Sequence, residues 1–140
     1  MHYYDDVIEP HNPSMMVVYC DIDVENGKSP NLAVDAFKSL IEKVESDFSD
    51  IPILMLSMKP TLIDDVLGKD VRENKIKTNQ KLSEYADSQD NLYYIDITSP
   101  MMDRGKLRND IFIEDGMHLN AKGYTFWDPI LREAIEEIRN

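Results

Sequence analysis

Three short apolar runs alternate with three stretches of helical periodicity along this chain, and that alternation is what most narrows the folds open to it. Met15-Met16-Val17-Val18-Tyr19, behind Pro13, is continuously apolar, as expected of a strand buried on both faces. Ser29-Pro30 supplies an N-cap with proline at the first helical position, and Phe37, Leu40, Ile41, Val44 and Phe48 follow at helical spacing. Pro52 breaks the chain, and Ile53-Leu54-Met55-Leu56 reads as a second buried strand. After Pro60 a loop is expected, then a helix from about Asp70 to Ala86 on the sparser pattern of Val71, Ile76, Leu82 and Tyr85. Asn91-Leu92-Tyr93-Tyr94-Ile95-Asp96-Ile97, rich in β-formers, is the third strand. Trp127, Ile130, Leu131, Ala134, Ile135 and Ile138 then fall on one stripe of a final helix, the side expected to face the sheet. Regular alternation of this kind predicts a parallel sheet with right-handed crossovers and helices on its faces.

A chain of 140 residues has the length of a single domain, 1–140. Three strands are few for a doubly wound sheet, and the stretch from Tyr4 to Pro13 reads as the tail of a helix and a loop, not as a strand with a glycine-rich turn. The chain is therefore expected to begin in mid-architecture. The Met15–Tyr19 strand would then be a hydrophobic sheet edge, open to pairing with another chain, and a homo-oligomer through that edge is the expected assembly.

Fifteen basic residues against 27 acidic ones give a net charge of −12, which repels phosphate backbones and anionic bilayers. Neither nucleic acid nor a membrane is an expected partner. The densest basic stretch, Lys69 to Lys81, interleaves Arg72, Lys75 and Lys77 with Asp70 and Glu73, the pattern of a solvated helix face. Cys20 is the single cysteine, which excludes an intrachain disulfide and a thiolate zinc cluster. No basic and apolar leader opens the sequence and no apolar run reaches about 18 residues, so a cytoplasmic protein is expected unless a preceding segment changes that. His2 and His11 lack ligand partners at metal spacing. Asp21 to Gly27 is a poor calcium loop, with its glycine one place late and Leu32 where a bidentate Glu is required. No metal or cofactor is expected.

Ligands of parallel sheets sit outside the carboxyl ends of the strands, which directs attention to Cys20–Asn26, Ser57–Thr61 and Thr98–Asn120. The last of these contains Asp115-Gly116-Met117-His118-Leu119-Asn120. An Asp three residues before a His, on a loop entering a helix, lets the carboxylate turn back and receive the imidazole N–H. That fixes the tautomer and leaves the other nitrogen free as a general base. The plainer alternative is a pair of unrelated loop residues at the start of the terminal helix.

The string D-G-M-H-L-N-A-K-G-Y-T-F-W resembles the terminal motif of the SGNH (GDSL-type) serine hydrolases. Upstream, Gly27-Lys28-Ser29-Pro30, Ser57-Met58-Lys59-Pro60 and Asp96-Ile97-Thr98-Ser99-Pro100-Met101 look like the stretches between that family's blocks, in order and at suitable spacing. The resemblance runs from about Tyr4 onward and corresponds to the C-terminal two-thirds of such a domain. It implies a three-layer α/β/α flavodoxin-like SGNH fold, N-terminally truncated, with about three parallel strands and flanking helices. It also implies hydrolysis of a carboxylic ester, such as an acetyl group on a carbohydrate or a short acyl ester, with His118 as base and Asp115 orienting it. Asn120 would cap the last helix, and Gly123-Tyr124 and Trp127 would pack it on the sheet.

Family members take their nucleophile from a Gly-Asp-Ser block on the first strand, and no Gly-Asp-Ser occurs in this sequence. Their Gly-x-Asn-Asp oxyanion block corresponds to Cys20-Asp21-Ile22-Asp23, which puts Ile22, a side chain with no donor, at the Asn position. Asp23 matches the family Asp that follows, for which a structural hydrogen bond and direct contact with substrate are equal alternatives. The chain alone is therefore expected to be inactive, and a non-catalytic binding or self-assembling module is the rival reading. Cys20 as a substitute nucleophile for His118 is weighed against a small apolar filler, and the filler is favoured. Ser57, next to Lys59-Pro60, reads as a structural turn residue, and the methionines as core and rim packing.

Overall fold

In the computed structural model, which describes residues 4–139, the three apolar runs become the strands of one parallel sheet. These are β1 (Met16–Val18), β2 (Ile53–Leu56) and β3 (Leu92–Ile95), in the order β1-β2-β3, with Met16 opposite Ile53 and Ile53 opposite Leu92. A short helix α1 (Tyr4–Val7) and a 3-10 turn (Glu9–His11) lead into β1, as the lack of strand pattern there predicts. One helical turn, α2 (Ile22–Glu25), follows β1 and leads to the long α3 (Pro30–Asp47), where Ser29 Oγ accepts from Leu32 N as the N-cap. Beyond β2 come α4 (Asp64–Leu67) and α5 (Val71–Ala86). Beyond β3, a 3-10 turn (Ser99–Met101) and a small antiparallel hairpin of β4 (Met102–Asp103) and β5 (Lys106–Leu107) precede the terminal helix α6 (Ala121–Arg139).

Alternation along the strands sorts the core into two faces. On one, Val34, Phe37, Ile41 and Val44 of α3 and Leu82 and Ala86 of α5 pack with Ile53, Met55 and Leu92. α6 lies on the other. Its Trp127 ring is 5.8 Å from that of Tyr19, which points to the same side of the sheet as Val17. A second cluster, Met101, Ile111, Phe112 and Leu119 with Phe126 and Trp127 against it, fastens the start of α6 to the segment before it. Met55, Met58 and Met101 are fully buried, and Met16 packs at the core margin.

Several expectations are corrected. β1 is not buried on both faces: Val17, in its centre, is 47% exposed, because among the described residues no strand pairs with its outer edge. The stripe on α6 is only half-buried along Ile130, Leu131, Ala134, Ile135 and Ile138, and the one fully buried residue of that helix is Gly123. Residues 64–67, expected as loop, form α4. The basic stretch is not simply a solvated face either. Ile76 points outward, and Lys75, 2% exposed, points inward to Glu25 Oε1 at 2.7 Å and Asp64 Oδ1 at 2.9 Å. Asp64 also accepts from the Thr61 amide and hydroxyl at 3.0 and 2.6 Å, with Arg72 Nε at 3.6 Å. Burial pushes the Asp64 carboxyl up, but the bonds from Thr61 and Lys75 outweigh it and hold it below the usual range. Among the described residues, no helix is long and apolar enough to cross a membrane. His11 is exposed at the end of its 3-10 turn, and His2 lies outside the described residues.

Candidate active site

The segment joining the β4–β5 hairpin to α6 is held by hydrogen bonds that fold it back on itself. Asn120 N donates to Ile111 O at 3.0 Å, Ile113 N to His118 O at 2.9 Å, and Gly116 N to Ile113 O at 3.0 Å. Gly116 has φ +68°, a left-handed conformation, and a Cβ there would meet Ile63 Cγ2 at 3.1 Å and Leu62 Cβ at 3.2 Å. The same glycine's carbonyl accepts from Leu62 N at 2.9 Å, which ties this loop to the one after β2.

That turn brings Asp115 and His118 together. Asp115 Oδ1 accepts from the amides of Met117 and His118 at 2.8 and 2.9 Å, while Oδ2 meets His118 Nδ1 at 2.6 Å. The His118 amide, its ring and the Met117 amide hold the Asp115 carboxyl down at about 2. It is a carboxylate at any ordinary pH and can only accept, so Nδ1 donates to it, and in the neutral ring Nε2 is the nitrogen with the lone pair. The His118 side chain is 68% exposed and that of Asp115 43%. The loop thus presents its imidazole to solvent on a rigid support.

Asn120 closes the arrangement from the helix side. Its Oδ1 accepts from Gly123 N at 3.0 Å, the N-cap bond expected of it, and its Nδ2 donates to Asp110 O and Phe112 O at 3.0 Å. Gly123 lets helix and loop touch, since a Cβ there would sit 2.5 Å from Ile111 O. Trp127 packs on Tyr19 as expected, whereas Tyr124 is exposed, its ring 5.9 Å from that of Trp127 and nearly perpendicular to it.

At the ends of β1 and β2 the other candidates take structural places. Ser57 is fully buried; its Oγ accepts from Ile97 N at 3.0 Å and meets Thr98 Oγ1 at 2.9 Å, stitching β2 to the end of β3. Cys20 is half-buried beside Val18, Phe37 and Leu40, and burial raises its thiol, so it does not offer a ready thiolate. Ile22 is 53% exposed at the first position of α2, and Asp23 pairs with Lys28 at 2.8 Å.

Pattern reading missed one group here. Lys59 Nζ, almost fully buried, lies 3.2 Å from both Asp21 Oδ2 and the Tyr19 hydroxyl, which itself donates to Asp21. Burial, with the Asp21 carboxylate beside it, raises the Tyr19 phenol and keeps it a donor. The available signal was positional: all three lie within three residues of the end of β1 or β2.

The model of the GDSL-like lipase/acylhydrolase family matches residues 11–126. The chain belongs to that family. Solved structures agree on the fold of this GDSL-like domain. The GDSL-like lipase of Bacteroides thetaiotaomicron superposes with TM-score 0.80 at 20% identity, covering 98% of this chain and 68% of that one. A family 3 carbohydrate esterase of Clostridium thermocellum gives 0.69 at 14% identity, over 99% and 66%. Another, from Talaromyces cellulolyticus, gives 0.72 at 13% identity, over 94% and 61%. The GDSL-like domain spans 57% to 68% of the length of six such structures. No curated protein matches the sequence.

Proposed function

We propose that this chain supplies the acid and base of an ester-hydrolysing site whose serine nucleophile comes from outside these 140 residues. The observation that carries the reading is the Asp115–His118 pair, with Nδ1 engaged at 2.6 Å and Nε2 free. In the reaction, a serine hydroxyl adds to the ester carbonyl as its proton passes to His118 Nε2, and Asp115 stabilises the imidazolium. The carbonyl–alkoxy bond then breaks, and His118 returns the proton to the leaving alcohol. Water repeats the sequence to release the acid. A small acyl ester, such as an acetyl group on a carbohydrate, is the proposed substrate class, supported by the two family 3 carbohydrate esterases among the similar structures. Ile22 gives no side-chain donor to the oxyanion, a loss worth about 10²–10³ in turnover where such a donor has been removed.

The chain alone is accordingly inactive in this reading. A fluorophosphonate probe is expected to leave it unlabelled, and p-nitrophenyl acetate is expected to be cleaved no faster than by a His118→Ala variant. Stoichiometric labelling of the 140-residue chain would sink the proposal. The open edge of β1 favours a second reading, a non-catalytic module that assembles through that edge; there, His118→Ala changes no property of the assembly.

A further inference from the structure

The β4–β5 hairpin has no part in the Asp115–His118 pair, and its charge runs against that of the rest of the chain. Arg104, Lys106 and Arg108 stand at alternate positions there, three cations close together in a chain whose net charge is −12. With Asn109 and Asp110 they line a cleft of about 540 Å³. Asp110 is neutralised by a hydrogen bond from Lys122, which leaves Asp103, 4.0 Å from Arg108 Nη1, as the carboxylate set against the three cations. Salt screens the field of the more distant carboxylates over about 8 Å at 0.15 M, so an anion in the cleft meets mainly the cations that line it.

Two details of the hairpin do nothing for the fold itself. Arg104 and Gly105, the central residues of the turn, have φ +50° and +79°, the type I′ conformation that Asn-Gly or Asp-Gly takes most easily. An arginine in the left-handed region is strained, and its exposed side chain lines the cleft. Arg108 is the second. Its guanidinium lies over the Phe126 ring, 5.0 Å from the centroid, and its side chain is only 29% exposed. Nε is nevertheless buried with no acceptor among the described residues, and Nη1 stands beyond hydrogen-bond reach of Asp103. A guanidinium fixed by stacking, with donors left over, suits a planar acceptor, and a carboxylate matches its fork with two parallel bonds.

The cleft also adjoins the imidazole loop. Asp110 O accepts from Asn120 Nδ2 at 3.0 Å, and Asn120 is two residues from His118. Its volume falls within the range of small-ligand sites, about 300–1,000 Å³, which is room for a sugar ring.

We infer that the β4–β5 cleft binds the carboxylate of an acidic sugar, a uronate, with Arg108 as its fork and Arg104 and Lys106 beside it. Joined to the proposed function, on which this step alone rests, the cleft makes the substrate an acyl ester of an acidic carbohydrate. Uronate binding itself needs no nucleophile and is measured apart from hydrolysis.

The test is NMR of the full chain, following the arginine Nε–H signals as digalacturonate is added. The Arg108 signal is expected to move saturably, with half-saturation at or below millimolar concentration, and the methyl-esterified disaccharide to bind at least about tenfold more weakly. Arg108→Gln is expected to weaken binding at least about tenfold, whereas Lys69→Gln, which removes the same charge from the exposed turn before α5, leaves it unchanged. Arg104→Asn separates an arginine kept for a ligand from one that is only tolerated. It should raise the melting temperature, because asparagine suits the type I′ turn, while weakening binding about threefold. Equal binding of acid and methyl ester overturns the inference, as does an Arg104→Asn chain that binds as well as the parent. Acetate and inorganic phosphate are expected to bind at least about tenfold more weakly than digalacturonate, and parity with either overturns the sugar assignment. A chain that is labelled by the fluorophosphonate yet still binds digalacturonate supports the cleft and sinks only the proposed function.

Discussion

Asp115 is the residue on which the site's geometry turns, because it is bonded at once to the backbone of its own loop and to the imidazole. Its carboxyl is held at about 2, first by the His118 amide, then by the His118 ring and the Met117 amide. A carboxyl depressed in the folded state contributes stability above its unfolded value, near 3.9, and loses that contribution as pH falls through the folded value. Carbon-detected NMR of the carboxyl should therefore place its midpoint near pH 2. The loop amides of Met117 and His118 should begin to shift only below about pH 4. A midpoint near 4 would mean that the three bonds do not hold in solution. The pair was legible from its D-x-x-H spacing, because the partners are close in sequence. The Lys59–Asp21–Tyr19 group was not, since Lys59 lies 38 residues from Asp21 and only strand pairing brings them together.

At the scale of elements, what the pattern revealed and what it hid follow from the range of the forces involved. The three strands and the helices α3, α5 and α6 were readable from periodicity, which reports which side of an element is apolar. Periodicity does not report whether that side is covered. The runs of β1 and β2 look alike in sequence, yet β2 is buried throughout and β1 is an edge, a difference made by neighbours in space. Charge within an element is equally silent about direction. Lys75 and Lys77 sit in one basic stretch, but Lys75 joins Glu25 of α2 and Asp64 of α4 in the interior, while Lys77 pairs with Glu73 in solvent. Lys75→Met leaves buried Glu25 without its cation and buried Asp64 with only Arg72 at 3.6 Å, and should cost about 3–5 kcal/mol in urea denaturation. Lys77→Met should stay within about 0.5 kcal/mol of the parent. Equal losses at the two positions would show that the interior pairing of α2, α4 and α5 is not what holds them.

For the molecule as a whole, the net charge of −12 is a term that no single contact reveals. Repulsion among so many carboxylates opposes the compact state, and salt screens it over a Debye length of about 10 Å at 0.1 M. The melting temperature is therefore expected to rise by a few degrees between about 10 and 300 mM NaCl. A fall would mean that favourable ion pairs, such as Lys28–Asp23 and Lys122–Asp110, outweigh the general repulsion. A different consequence follows from how the Asp115–His118 loop is fastened. The bonds that fix it come from residues 110–123 and from Leu62, and none of those residues belongs to β1 or α2. The loop is in that sense portable. On the proposed reading, substitutions in β1 or α2 leave the Asp115–His118 pair as it stands, so the two parts of the site vary independently.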